Sequence, residues 1–154
     1  MSIQIVLGSK SDMKVAEKAI AVLRELNVKY KLNIASAHRT PELVDKLVAE
    51  ADAEVFIAIA GLSAALPGVI AARTTKPVIG VPVSGAVNLD AILSVVQMPP
   101  GIPVAGVGLD RGDNAALLAA EIIALKDEQV AKALVQYRKR LKDNVIRDSK
   151  EVEI

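Results

Sequence analysis

Almost unbroken apolar runs recur along the chain at Ile3–Leu7, Tyr30–Ala35, Val55–Ala60, Val78–Val83 and Ile102–Val107. Runs without polar alternation mark strands covered on both faces, so five buried strands are predicted. Between them lie Ser11–Leu26, Pro41–Ala51, Ser63–Thr74 and Leu89–Val96, each long enough for a helix that crosses back over a sheet. In the first of these, Val15, Ala19, Val22, Leu23 and Leu26 fall at spacings of three and four, which draws one apolar stripe along a helix. Strands alternating with helices in this way give an α/β fold with a parallel sheet. Strand order is not contained in the pattern; the chain's size suggests a flavodoxin-like one.

Two further helical segments follow the last strand. Asn114–Leu125 is nearly all apolar or small, which suits a helix covered on more than one side. Asp127–Arg147 is amphipathic, with Val130, Leu134, Tyr137, Leu141 and Val145 at near-heptad intervals. Its stripe needs an apolar partner, either its own domain or another subunit, and since the sheet's helices are already supplied, residues 126–148 are expected to pack on a neighbouring subunit. Arg138-Lys139-Arg140 with Lys142 reads as a solvated helix face, and Asp148–Ile154 as a fraying tail.

Composition narrows the functions open to such a fold. The 154 residues form one domain, 1–154, with no repeat or linker, and a chain of this length buries roughly 68–70% of the surface it exposes when unfolded. The chain has no cysteine and one histidine, which excludes a disulfide scaffold, a thiolate nucleophile and a multi-histidine metal site. Nineteen basic against 18 acidic groups give no broad field for nucleic acid or a membrane surface, and the three aromatics cannot build a base-stacking platform. The segment Met1–Gly8 reads as a first strand and not as a signal peptide, and Pro, Gly or charge interrupts every apolar run before it reaches membrane-spanning length. A cytoplasmic location is expected.

In an open parallel sheet, ligands bind beyond the carboxyl ends of the strands, so the residues directly after each strand carry the chemistry. After the first comes Gly8-Ser9-Lys10-Ser11-Asp12. Gly8 is expected to permit a tight turn, while Ser9 and Ser11 place hydroxyls and helix N–H groups where an anion is stabilised. Neither a Walker loop nor a dinucleotide-binding glycine turn is present. Ser11 or Asp12 can equally serve as a helix cap, and a ribose hydroxyl suits Asp12 better than a phosphate. The second strand is followed by Ser36-Ala37-His38-Arg39-Thr40-Pro41, in which Thr40 reads as the N-cap and Pro41 as the first helical residue. That leaves His38 and Arg39 on the loop, where imidazole can carry a proton near neutral pH and guanidinium can grip a phosphate. A surface ion pair is the plainer role for Arg39.

Gly61-Leu62-Ser63 and Leu66-Pro67-Gly68 follow the third strand; these small residues either open a helix toward a ligand or allow close helix–sheet packing. Ser84–Asn88 has little chemical character. The stiff Gln97-Met98-Pro99-Pro100-Gly101 segment suits one wall of a pocket, and Asp110–Asn114 reads as a charged turn with a helix cap.

At these loops the sequence resembles the PurE family of purine biosynthesis. The carriers, in family order, are Gly8-Ser9-Lys10-Ser11-Asp12, Ser36 to Pro41, Ala60-Gly61 with Leu66-Pro67-Gly68-Val69, Gly80-Val81-Pro82-Val83, Gln97-Met98-Pro99 with Gly101 to Val104, and Asn114 to Ala119. The resemblance implies a three-layer α/β/α sandwich assembled as an octamer, with active sites near subunit contacts. Its bacterial and archaeal members are N5-carboxyaminoimidazole ribonucleotide mutases, which move a carboxylate from the exocyclic nitrogen of an imidazole ribonucleotide to ring carbon C4 without ATP, biotin or metal. By the same resemblance His38 is the proton-transfer residue, Ser9, Asp12 and Arg39 bind the ribonucleotide, and Ser11 and Ser36 are their neighbours. Gly61, Leu62, Ser63, Leu66 and Met98 complete the expected substrate site, the apolar ones as walls that exclude water and retain CO2.

One position departs from the family. Many of its mutases carry a second histidine immediately before Leu-Pro-Gly, and here that residue is Ala65. A two-histidine mechanism is therefore excluded. The related class that carboxylates aminoimidazole ribonucleotide (AIR) directly with CO2 usually has lysine in place of Arg39 and lacks Leu-Pro-Gly, so Arg39 and Leu66-Pro67-Gly68 favour the mutase. From another class, a non-catalytic flavodoxin-like nucleotide-binding or receiver module would want an acidic cluster after the first strand and an Asp after the third. Ser9 and Gly61 stand there instead.

Overall fold

The computed structural model describes residues 1–152. Five parallel strands form one sheet in the order β2-β1-β3-β4-β5, the flavodoxin-like arrangement: β1 Ser2–Leu7, β2 Lys29–Ile34, β3 Val55–Ala60, β4 Val78–Pro82 and β5 Ala105–Gly106. The helices are α1 Met13–Glu25, preceded by a 3-10 turn at Lys10–Asp12, α2 Pro41–Glu50, α3 Leu66–Ala71, α4 Asn88–Val96, α5 Gly112–Ala124 and α6 Glu128–Glu151. Alternation along each strand divides the core into two apolar layers. Ile3, Ile5, Leu7, Val55, Ile57 and Ile59 pack on α1 and α5, whereas Val6, Phe56, Ala58 and Ala60 pack on α2, α3 and α4. This is the expected three-layer sandwich.

Close packing explains several small residues. A Cβ on Gly112 would come within 2.1 Å of the Val15 carbonyl oxygen, so only glycine lets α5 approach α1 so closely. The alanine face of α5 then fits between the sheet, α1 and α6, as a helix covered on several sides requires.

Four elements differ from the pattern-based expectation. Strand β2 lies at the sheet edge, with Lys29, Lys31 and Asn33 exposed and Tyr30 and Leu32 half-buried, so it is not covered on both faces. Helix α3 begins at Leu66 instead of Ser63, because Pro67 is tolerated only in a first turn. Strand β5 pairs as a ladder only over Ala105–Gly106; Pro103, without an N–H, cannot donate earlier in the run. Finally, α6 continues past Arg147 to Glu151, through residues expected to fray.

The amphipathic stripe of α6 is divided. Val130 and Leu134 are buried against the chain's own core and Tyr137 partly so, while Leu141, Val145 and Ile146 are exposed, Val145 to 68%. Asp127 caps the helix by accepting from the Gln129 and Val130 amides at 3.0 and 3.2 Å. Nor is the basic run wholly solvated: Arg138 pairs with Glu121 at 2.5 Å, and Arg140 pairs with Glu25 while lying over the Tyr137 ring.

Candidate active site

Strand β1 sits between β2 and β3 and leads to α1 on one face of the sheet, whereas β2 and β3 lead to α2 and α3 on the other, so a crevice opens beyond the carboxyl ends of these three strands. A hollow of about 430 Å³ lies there. The β1 loop supplies Gly8, Ser9, Ser11 and Asp12, the β2 loop Ser36 to Arg39, and the β3 loop Ala60 to Ser63, with Leu66 from the start of α3. Every expected site residue except Met98 lines this one space. The Met98 sulfur instead packs on α3, 3.2 Å from where a Cβ of Gly68 would stand, and Pro67 is buried in the core; neither walls the hollow. The β4 and β5 loops are displaced along the sheet from the switch point. Of these, Asp110 does not cap α5 but accepts from the Ser84 amide at 2.8 Å.

On the β1 side, Ser9 caps the 3-10 turn by accepting from the Ser11 amide at 3.3 Å. The Ser11 hydroxyl donates to Asp12 Oδ1 at 3.2 Å, so Ser11 does not act as the helix cap. Asp12 occupies the N-cap position of α1 without a side-chain cap bond and is only 5% exposed. Burial raises the Asp12 carboxyl above its ordinary range, against the smaller opposing effects of the Ser11 hydrogen bond, the Ser9 backbone and the Arg39 charge. Gly8 is not in a left-handed turn; the positive-φ glycine among the described residues is Gly101. A Cβ on Gly8 would lie 3.6 Å from Ala60 Cβ and 3.7 Å from Asp12 Oδ2, so the missing side chain keeps the floor of the hollow open.

On the β2 side, Arg39 folds back over its own loop. Its Nε donates to Ser36 Oγ at 3.3 Å and its Nη2 to the Gly8 carbonyl at 3.1 Å, which ties the β2 loop to the β1 loop. Two of the five guanidinium N–H donors are thus engaged, and Arg39 makes no surface ion pair of the expected plain kind among the described residues. His38 is exposed at the rim of the same hollow. Thr40 holds the N-cap position of α2, but its hydroxyl turns to Ser36 and not to the helix. The remaining wall is apolar, formed by Ala60, Leu62 and Leu66; Leu62 is 68% exposed. Ala65 lies beyond the lining residues.

A basic group, hydroxyls and a buried carboxyl thus face an apolar wall, with one imidazole at the rim. The family model described as AIR carboxylase matches residues 2–144. The chain belongs to this family, the PurE family. It is 59% identical over 149 residues to the N5-carboxyaminoimidazole ribonucleotide mutase of Methanocaldococcus jannaschii, covering 96% of this chain and 95% of that one. It is 52% identical over 154 residues to the probable N5-carboxyaminoimidazole ribonucleotide mutase of Methanobrevibacter smithii, of which it spans 45% and which covers 97% of this chain. The crystal structure of Treponema denticola PurE superposes with a TM-score of 0.90 at 33% identity, covering 99% of this chain and 98% of that one. No helix among the described residues is long and apolar enough to cross a membrane.

Proposed function

We infer that this chain is an N5-carboxyaminoimidazole ribonucleotide mutase of purine biosynthesis, with His38 as its general acid and base. The observation that carries the reading is the placement of the chain's one histidine beside Arg39, in the hollow that Ser9 and Asp12 also line. Arg39, Ser9 and Ser36 suit the ribonucleotide phosphate, because guanidinium and hydroxyl donors converge there. Asp12 suits a ribose hydroxyl, whose donation would stabilise a carboxylate that burial disfavours.

The reaction begins with cleavage of the bond between the exocyclic nitrogen and the carboxylate carbon. CO2 leaves, and the nitrogen takes a proton from His38. The ring carbon C4 then attacks the retained CO2, forming the new carbon–carbon bond, and the C4 proton passes back to His38 as aromaticity returns. One imidazole thus gives and recovers one proton, and no net proton is exchanged. Gly61, Leu62, Ser63 and Leu66 line the side from which water must be kept. Retaining both fragments in one cage supplies much of the rate, since recombination is then effectively unimolecular.

The match to the AIR carboxylase family, together with Ala65, favours a second reading, in which AIR is carboxylated directly by CO2. Purified protein given the N5-carboxylated nucleotide without ATP or added bicarbonate separates the two. A mutase forms 4-carboxy-AIR, followed by absorbance, at an undiminished rate; a direct carboxylase turns over only AIR, and only when bicarbonate is supplied.

The same reading extends to assembly. We propose a cytoplasmic homo-octamer, in which the exposed Leu141, Val145 and Ile146 of α6 and Leu89, Leu93 and Val96 of α4 are covered by neighbouring copies. Contact with a neighbour is assigned to the second half of α6, since Val130 and Leu134 of the first half are already buried on their own domain.

A further inference from the structure

We propose that Thr40 is a positioning residue whose hydroxyl latches the Ser36–Thr40 loop shut and so sets the direction of His38 and Arg39. The hydroxyl stands at the N-cap position of α2, where threonine ordinarily accepts from a helix amide. Here the Leu43 and Val44 amides reach only the Thr40 carbonyl, at 3.1 and 3.2 Å, and the side chain is diverted. Thr40 Oγ1 accepts from the Ser36 amide at 2.9 Å and donates to the Ser36 carbonyl at 3.3 Å, while the Thr40 amide donates to that carbonyl at 2.9 Å.

Ser36 is therefore held at both backbone groups by a single residue four positions later. Its own Oγ accepts from the Arg39 amide at 3.2 Å and from Arg39 Nε at 3.3 Å. The chain of contact runs from the Thr40 hydroxyl through Ser36 to the guanidinium, and from there to the Gly8 carbonyl across the hollow. His38 lies inside this closed turn, exposed, and no hydrogen bond among the described residues involves its imidazole. The direction in which the backbone launches its side chain is consequently a property of the turn. A methyl in place of the hydroxyl removes two of the three Thr40–Ser36 bonds, and the third, made by the backbone, keeps the helix start in place.

The proposal rests on the function inferred above, but one of its two readouts does not. Because the chain has one histidine, its imidazole gives a single Cε1–H resonance, free of overlap and observable without substrate. Thr40→Val is expected to shift and broaden that resonance, to lower kcat about five-fold and to raise KM for the carboxylated nucleotide, with the thermal midpoint little changed. Thr40→Ser, which keeps the hydroxyl, should restore the wild-type resonance and kinetics. Should valine prevent folding, Thr40→Ala makes the same comparison against Thr40→Ser. Wild-type spectra and wild-type kcat and KM in a folded hydroxyl-free variant would overturn the latch, as would Thr40→Ser behaving like Thr40→Val. If the wild type itself turns nothing over, the inferred function fails while the imidazole spectra still decide the latch.

Discussion

Asp12 places a carboxyl where water scarcely reaches, and the consequence is a measurable conflict between binding and stability. Because burial raises its folded-state pKa above the ordinary value, the folded protein binds more protons than the unfolded chain across the interval between the two. Stability therefore falls as pH rises through that interval, and at neutral pH the ionised carboxylate is a net burden on the fold. Asp12→Asn keeps an acceptor for the Ser11 hydroxyl and removes the charge. It is expected to raise the thermal midpoint at pH 7, with the gain shrinking as the pH drops below the ordinary Asp range, and to weaken nucleotide binding. Midpoints measured at pH 7 and at acidic pH check this; an Asn variant less stable than the wild type at pH 7 would contradict it. Gly8 makes the complementary point. The sequence suggests a glycine needed for a turn, whereas the backbone there is ordinary and the absent side chain instead leaves room above Ala60 and Asp12.

Among the elements, α6 carries two kinds of apolar surface on one continuous stripe. Its first half is core: Leu134→Ala should destabilise the chain by about 2 kcal/mol through lost burial and an incompletely filled space, as read by denaturant unfolding. Its second half belongs to an interface in the octamer proposed above, so Val145→Asp should leave the unfolding of the isolated chain nearly unchanged but reduce the particle size in sedimentation. Unaltered sedimentation would remove α6 from that interface. The heptad spacing from Val130 to Val145 cannot distinguish these halves, because periodicity records that a face is apolar and not what covers it. The same limit explains β2. Tyr30, Leu32 and Ile34 make a strand legible, but only the strand order reveals that it is an edge, where Lys29, Lys31 and Asn33 can meet water. Proline acts locally: Pro67 and Pro103 limit where α3 begins and where β5 can pair, whereas the apolar runs alone predict a helix from Ser63 and a strand from Ile102.

For the whole molecule, the chemistry of each loop was legible because glycines, hydroxyls, His38 and Arg39 stand immediately after apolar runs. Which loops meet was not, since that is decided by β1 lying between β2 and β3. The three loops that follow those strands converge, whereas the segment after α4 falls outside, and this is why Met98 packs on Gly68 instead of facing the hollow. The convergence also ties Arg39 to the Gly8 carbonyl, a contact between residues 31 positions apart that no local spacing announces. What results is a site with the chain's one imidazole at its rim and Ala60, Leu62 and Leu66 in its lining. The most direct measurement is therefore turnover of the N5-carboxylated nucleotide by His38→Asn, with nucleotide affinity determined on the same sample. The account predicts turnover reduced by roughly 10²-fold or more while affinity stays within a few-fold of the wild type. Wild-type turnover by the Asn variant would contradict it.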